Sequence, residues 1–219
     1  MYRLWWRFVR FGFRLLYNEL AWAYDLVAWV VSLGQWKAWG RTAIPHLEGE
    51  RVLELGHGPG HLLMAMAEHG LSPIGLDLSP TMSRQARRRL AESDGLTVPL
   101  VRARAQALPF RDSCFDSTVA TFPSEYILDQ ATLRGVARVL RPEGQLVVAG
   151  GIFLSGWDPL SRFIWWLYQI TGQGDMPVDQ AKTMLARAGF SMRITWEEAK
   201  YNSRVLLVIA EKDQGPVTQ

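Results

Sequence analysis

Five residues in one short stretch and an acid beyond it have the types and spacing to grip a polar small molecule: Glu54, Gly56, His57, Gly58 and Gly60, then Asp77. Glycine at alternate positions removes the Cβ atoms that would hold a ligand off the backbone and permits positive φ. If a helix begins just after the turn, its free amides face whatever is bound. Asp77 lies 21 residues beyond Gly56, close to the ~20 at which an acid meets a nucleotide ribose in a βαβ unit. A carboxylate suits that task because two neighbouring hydroxyls can donate to it at once. These residues bind; a proton-removing group has to come from elsewhere. Thr121-Phe122-Pro123-Ser124-Glu125-Tyr126 offers Glu125 and Tyr126, either of which could deprotonate an amine or a hydroxyl. Tyr24, Asp25 and His61 are alternatives. No metal site is expected.

The elements that must position these residues follow from periodicity. Val52 to Leu55 is a short apolar run, and a helical pattern starts at His61 with Leu62, Leu63, Met64, Met66 and Ala67, so the glycines close a strand and open a helix. Pro73 to Asp77 reads as a second strand, with Ser79 as N-cap and Pro80 at the first helical position. Strands are predicted near 51–55, 73–77, 98–102, 115–121 and 144–150. They alternate with helices near 60–70, 79–93 and 129–140, which implies a parallel sheet. A helix from Pro177 to Gly189 and two strands near 191–198 and 203–211 close the chain as a hairpin at the sheet edge. Ligands in such sheets bind beyond the carboxyl ends of the strands, and the motif residues are expected at those ends.

A dinucleotide fingerprint needs G-x-G-x-x-G, and counting from Gly56 puts His61 where the third glycine belongs. What remains, E-x-G-x-G-x-G closing a first strand, resembles motif I of class I S-adenosylmethionine-dependent methyltransferases. Ala105-Gln106-Ala107-Leu108-Pro109-Phe110, then Phe115-Asp116, then Arg138-Val139-Leu140-Arg141-Pro142-Glu143-Gly144 extend the likeness, in an order similar to the quinone-biosynthesis subgroup. It covers residues 50–150 well and is weaker to about 211. The resemblance implies an α/β fold, a Rossmann-like, mostly parallel sheet of seven strands in the order 3-2-1-4-5-7-6 with the last strand antiparallel. N-terminal helices and a helical insert after strand 5 would complete it. The resemblance also implies S-adenosyl-L-methionine as cofactor. Glu54 would orient its methionine end, Gly56, Gly58 and Gly60 would allow close approach, and Asp77 would hold the ribose. Leu78 and Met82 would border the adenine, with Ala105 and Gln106 at its polar edge. His57, Thr121 and Tyr24 complete the expected donor contacts, His57 being read as a partly exposed turn residue. Tyr24-Asp25 resembles a YD pair ahead of motif I, in helices that lid the donor. One departure is Arg104, where family members usually carry an Asp that accepts from the adenine amino group; arginine cannot accept.

Composition bounds the rest. At 219 residues with 48% hydrophobic and 21% charged, the chain suits one α/β domain with a sizeable core. A single cysteine, Cys114, cannot pair within the chain, which fits a reducing compartment. The net charge of +3 is local: Arg3, Arg7, Arg10 and Arg14 meet no acid up to residue 14, and the other 20 Lys and Arg face 21 Asp and Glu. That distribution argues against nucleic acid. On a helix the four arginines form a thin stripe beside a broad aromatic face, like an interfacial membrane anchor, the alternative being a helix packed on the core or in a homodimer interface. Asn18, Glu19 and Asp25 interrupt the apolar run from Leu15 to Leu33, against a membrane span, and a signal peptide fits poorly. The expected organisation is lid and anchor helices in 1–45, a donor-binding domain in 46–213 with an insert at 151–176, and a tail at 214–219. Of ten tryptophans, six precede residue 40 and three lie in the insert. They predict an apolar rim around the acceptor pocket, an amphiphilic or lipid-like acceptor, and a cytoplasmic chain peripheral to the membrane.

Overall fold

The computed structural model describes residues 32, 34–93, 96–154, 178–199 and 203–213. The expected amphipathic helix with its four arginines, Tyr24 and Asp25, the aromatic insert beyond residue 154 and the tail after 213 lie outside the described residues.

Among the described residues, seven strands form one sheet in the order β3-β2-β1-β4-β5-β7-β6. They are β1 (Arg51–Leu55), β2 (Ser72–Asp77), β3 (Leu100–Arg102), β4 (Phe115–Thr121), β5 (Leu140–Leu154), β6 (Phe190–Ala199) and β7 (Ser203–Lys212). β1 to β5 are parallel, and β7 enters antiparallel between β5 and β6. This is the predicted order. The described helices are α1 (Trp36–Arg41), α2 (His61–Glu68), α3 (Pro80–Ala91), α4 (Gln130–Val139) and α5 (Val178–Arg187).

Alternation along the strands sends apolar side chains to both faces, as a parallel sheet covered on both sides requires. Leu53, Leu55, Leu146 and Val148 join Leu133 and Val136 of α4 and Leu185 of α5. Val52 and Val147 join Leu62, Leu63 and Met66 of α2 and Leu90 of α3. Ser79 caps α3 as expected, its Oγ accepting the Met82 N–H at 3.3 Å, and Asp129 caps α4 by accepting from Ala131 at 2.8 Å.

Not every motif lies at the ligand end. Asp116 sits at the amino end of β4, where its carboxylate accepts the N–H groups of Glu50 and Arg51 and pairs with Arg141. Arg138 donates to the carbonyls of Leu108 and Phe110, 2.8 Å each, and to Asp112 at 2.7 Å. The expectation that all motif residues gather at the carboxyl ends is therefore corrected. Asp116 ties down the opposite rim of the sheet, and Arg138 clamps the Leu108-Pro109-Phe110 loop.

β5 carries two irregularities. Its pairing with β4 shifts register between Leu140 and Gln145, and its pairing with β7 shifts between Ala149 and Gly151. The second is a bulge at Gly150 in the carboxyl end, and it inverts the alternation there. Ala149 and Ile152 then share one apolar cluster with Trp39, Val205 and Leu207, while Phe153 turns outward and is 52% exposed.

Candidate functional site

The glycine turn between β1 and α2 is built from three left-handed residues, Gly56, Gly58 and Gly60, with φ of 72°, 51° and 82°. Their reasons differ. A Cβ on Gly56 would meet the Tyr126 hydroxyl at 2.6 Å, and one on Gly60 would meet the Ala86 Cβ of α3 at 2.8 Å. Only at Gly58, of the three, would a Cβ find nothing within 4 Å. Gly56 and Gly60 sit against neighbouring protein groups, and Gly58 has open space where its Cβ would be.

Beneath the turn, Glu54 is 2% exposed. Gly60 provides no side-chain cap for α2, and the Glu54 carboxylate supplies one from the strand by accepting the Leu63 N–H, while its Oε2 is buried with no partner among the described residues. Burial first, then the nearby Asp77 charge, pushes the Glu54 pKa well above the ordinary carboxylate value.

Asp77, at the end of β2, holds the turn from the side. Its Oδ2 accepts the Gly58 N–H at 2.9 Å and its Oδ1 accepts the Ser79 N–H at 2.7 Å. Each oxygen keeps a second lone pair. Leu78, next to it, is 54% exposed and presents an apolar face beside the cradle. Met82 is fully buried under α3, so it lines the core behind that wall and offers no surface of its own.

His57 is not a partly exposed turn residue. It is 3% exposed, its Nδ1–H donates to the Gly58 carbonyl at 2.7 Å, and its Nε2 is buried without a partner among the described residues. Its ring fills the space that Gly75 leaves by having no side chain: a Cβ there would meet the His57 Cδ2 at 2.8 Å. Burial lowers its pKa from 6.5, the Asp77 charge and hydrogen bonds to backbone opposing, which keeps the imidazole neutral and consistent with one donor and one acceptor nitrogen. No sequence signal marked Gly75, because its role depends on which residue the turn folds over it.

Ala105 is buried and Gln106 exposed. The Gln106 amide donates to Asp129 Oδ2 at 3.3 Å. Arg104 is exposed, and its carbonyl accepts the Ala107 N–H. Thr121 is half-buried at the carboxyl end of β4, where a Cβ on Gly40 would lie 3.7 Å from its methyl.

The two base candidates part company. Glu125 is exposed. The Tyr126 hydroxyl donates to the Leu55 carbonyl at 3.0 Å, which ties the segment after β4 to the glycine turn. Phe122 opens that segment with φ of 48°. The left-handed region costs a bulky residue about 1–3 kcal/mol and tends to occur at functional sites. Phe122 is held there by its N–H bond to the Ala149 carbonyl at 2.7 Å and by the rings of Trp36 and Trp39, with centroids at 4.5 and 6.4 Å. Of the tryptophans expected at the rim, Trp36 is half-buried against Phe122, while Trp39 is fully buried, its indole N–H donating to Ser203 Oγ at 2.9 Å.

The chain is similar to known proteins in sequence and in fold. A methyltransferase-domain family model matches residues 52–144. The chain is 36% identical over 139 residues to a demethylmenaquinone methyltransferase of Thermus thermophilus, a match covering 61% of this chain and 63% of that protein. It is also 36% identical to the enzyme of that name from Tropheryma whipplei, covering 62% and 57%. The match thus spans less than two thirds of either relative. Among solved structures, a methyltransferase of Methanosarcina mazei superposes with TM-score 0.57 at 22% identity, over 78% of this chain and 96% of that one. The geranyl diphosphate C-methyltransferase of Streptomyces coelicolor superposes with TM-score 0.60 at 13% identity, over 79% and 78%. At such identities these two establish the fold.

Proposed function

We propose that the chain carries a class I S-adenosylmethionine-dependent methyltransferase domain and transfers a methyl group from S-adenosyl-L-methionine to a small amphiphilic, quinone-like or lipid-like acceptor at a membrane surface. The observation that carries the donor half is the cradle: Gly58 open, the Asp77 carboxylate fixed beside it with lone pairs to spare, and the buried Glu54 Oε2 lacking a partner among the described residues. These fit a ligand with a vicinal diol and a cationic amino group. Asp77 would take the ribose hydroxyls, Glu54 would act on the methionine end from beneath the turn, and Leu78 would lie against the adenine with Gln106 at its edge. Arg104 cannot accept from the adenine amino group, so a carbonyl or the Gln106 side chain substitutes.

When bound, the donor supplies an activated sulfonium methyl: one S–C bond breaks, one bond to the acceptor forms, a thioether remains, and the acceptor proton passes to solvent. The protein's task is positioning, worth about 7–11 kcal/mol in favourable cases. Tyr126 contributes by tying the acceptor-side segment to the turn. The quinone-like acceptor is suggested by the names of the relatives, and the membrane surface by the aromatic and arginine-rich sequence before residue 32. No helix among the described residues is long and apolar enough to cross a membrane. The protein would work in the cytoplasm, peripheral to the membrane.

Calorimetric titration with S-adenosylmethionine tests the donor site; absence of binding heat would leave a non-catalytic scaffold of this fold. A labelled-donor assay on a lipid extract tests the acceptor class. Co-sedimentation with anionic liposomes, comparing the full chain with one starting at Tyr17, tests the membrane: equal and negligible pelleting ends that part. A second reading, a soluble acceptor with apolar surface used in a homodimer, is favoured by Ile194 and Trp196, which are 39% and 43% exposed on edge strand β6. Light scattering decides it.

A further inference from the structure

We infer that Trp36 and Phe122 form the wall against which the ring of a flat aromatic acceptor is held, so that these two side chains select aromatic over aliphatic acceptors. The inference deepens the proposed function and rests on it for the place of the donor.

Three independent features converge on this pair. The first is backbone. Phe122 is one of three described non-glycine residues with positive φ. The other two lie toward the amino end of the sheet, Ser113 just before β4 and Glu143 in the irregular stretch of β5 between Leu140 and Gln145. Of the three, only Phe122 sits where ligands of such sheets bind, just past the carboxyl end of β4. A bulky side chain in this conformation persists only where its surroundings enforce it, and here the Ala149 carbonyl and two indoles do so.

The second is the scaffold behind the pair. Trp39, Ser203 and Gln35 form a buried polar chain: the Trp39 indole donates to Ser203 Oγ, which donates to Gln35 Oε1 at 3.0 Å. It joins α1 to the start of β7 and fixes the helix that carries Trp36, one turn earlier on the same side. The Gly150 bulge then turns Ile152 toward this cluster. Trp36 and Phe122 are its half-buried outer members, with ring centroids 4.5 Å apart and planes tilted by 41°. Aromatic rings prefer offset or tilted partners at such spacings, and a third ring extends the stack.

The third is adjacency. Phe122 and Tyr126 belong to one segment, and the Tyr126 hydroxyl bonds the Leu55 carbonyl at the glycine turn. A ligand lying along this segment has the aromatic wall at one end and the donor cradle at the other.

The test uses the full chain with two acceptors, a 1,4-naphthalenediol carrying a short prenyl chain and an aliphatic amine, and the variants Trp36→Ala, Phe122→Ala, Trp36→Phe and Phe122→Tyr. Both alanine variants are expected to raise KM for the diol about tenfold or more, with S-adenosylhomocysteine affinity unchanged within about twofold, and the ring-retaining variants to recover most of the loss. Phe122→Gly guards against misfolding, because it relieves the left-handed backbone and still removes the ring. Unchanged KM for the diol in the folded alanine variants, or an equal loss with the amine, would overturn the assignment. Equilibrium dialysis of the oxidised naphthoquinone without donor reads the wall by itself. A chain that binds the quinone through these rings but gives no heat with S-adenosylmethionine would refute the proposed function and leave the wall standing.

Discussion

The two ends of the carboxyl edge of the sheet are made by different means. On the side of β1 and β2, the cradle is backbone and buried polar atoms: three left-handed glycines, a carboxylate fixed by two N–H groups, and Glu54 capping α2 from below. On the side of β4, β5 and β7, the surface is aromatic and apolar, and its polar groups are spent in a buried chain that orients a helix. The first region is drawn from one continuous stretch, Glu54 to Asp77, whereas the second joins Gln35, Phe122 and Ser203 from distant parts of the chain. The glycine turn is thus drawn mostly from one stretch, with Ala86 and Tyr126 packed on it, and the aromatic cluster is a tertiary assembly.

Four measurements put that contrast at risk, and they are taken in descending order of effect. Trp39→Ala empties a fully buried site and removes the indole donor from the chain through Ser203 to Gln35. It is expected to cost about 3–5 kcal/mol of stability in denaturant unfolding, and a loss below about 1 kcal/mol would mean that α1 is not anchored this way. Asp77→Ala removes a charged acceptor from two N–H groups and from the donor. Donor affinity is expected to fall by roughly 1.5–3 kcal/mol, about 10- to 150-fold, with quinone binding unchanged; calorimetry with S-adenosylhomocysteine reads it. If acceptor affinity fell equally, the two regions would not be separable.

The glycines give the third comparison. Gly60→Ala sets a methyl group against Ala86 in a left-handed backbone, and should destabilise the fold by at least the ~1–2 kcal/mol of the conformation itself. Gly58→Ala carries only that conformational cost, because its methyl enters open space, yet it should weaken donor binding more than Gly60→Ala does. Thermal melts and donor titration of both variants, side by side, separate packing from ligand access.

The smallest effects are those of pH, and the two buried groups act in opposite directions. His57 has a lowered pKa in the fold, so the unfolded chain binds its proton first. Stability contributed by the neutral ring is present above 6.5 and is lost as pH falls below that value. Glu54 has a raised pKa, so the folded chain holds its proton longer, and stability declines as pH climbs from 4.5 toward the raised value. His57→Gln should flatten the acid side of a stability profile, and Glu54→Gln the neutral side. A profile that neither variant changes would show that these groups titrate alike in both states.

Much of this was legible in the chain. The apolar run before Gly56, the N-cap Ser79 ahead of Pro80 and the spacing to Asp77 are all local, and each acts through residues within a few positions or one βαβ unit. The strand order came from the resemblance, and the sheet has it. Three features were not legible. His57 looks like a turn residue, and only the bare backbone of Gly75 across the strand pair gives it a buried seat. Nothing near Tyr126 in the chain foretells the bond of its hydroxyl to the Leu55 carbonyl, which needs the return of its segment to β1. Asp116 and Arg138 were expected with the other motif residues at the carboxyl ends of the strands, and register puts Asp116 at the amino rim.

Residue order alone was enough for the glycine turn after β1 and the class of sheet, because glycine conformational freedom, helix capping and strand alternation are properties of neighbouring residues. Which glycine has open space where its Cβ would be, which polar groups are buried and which aromatic rings meet were settled only by the folded chain. Those depend on side chains brought together from far apart, such as Trp39 and Ser203, 164 positions from each other, and on a bulge that reverses which face of β5 meets them.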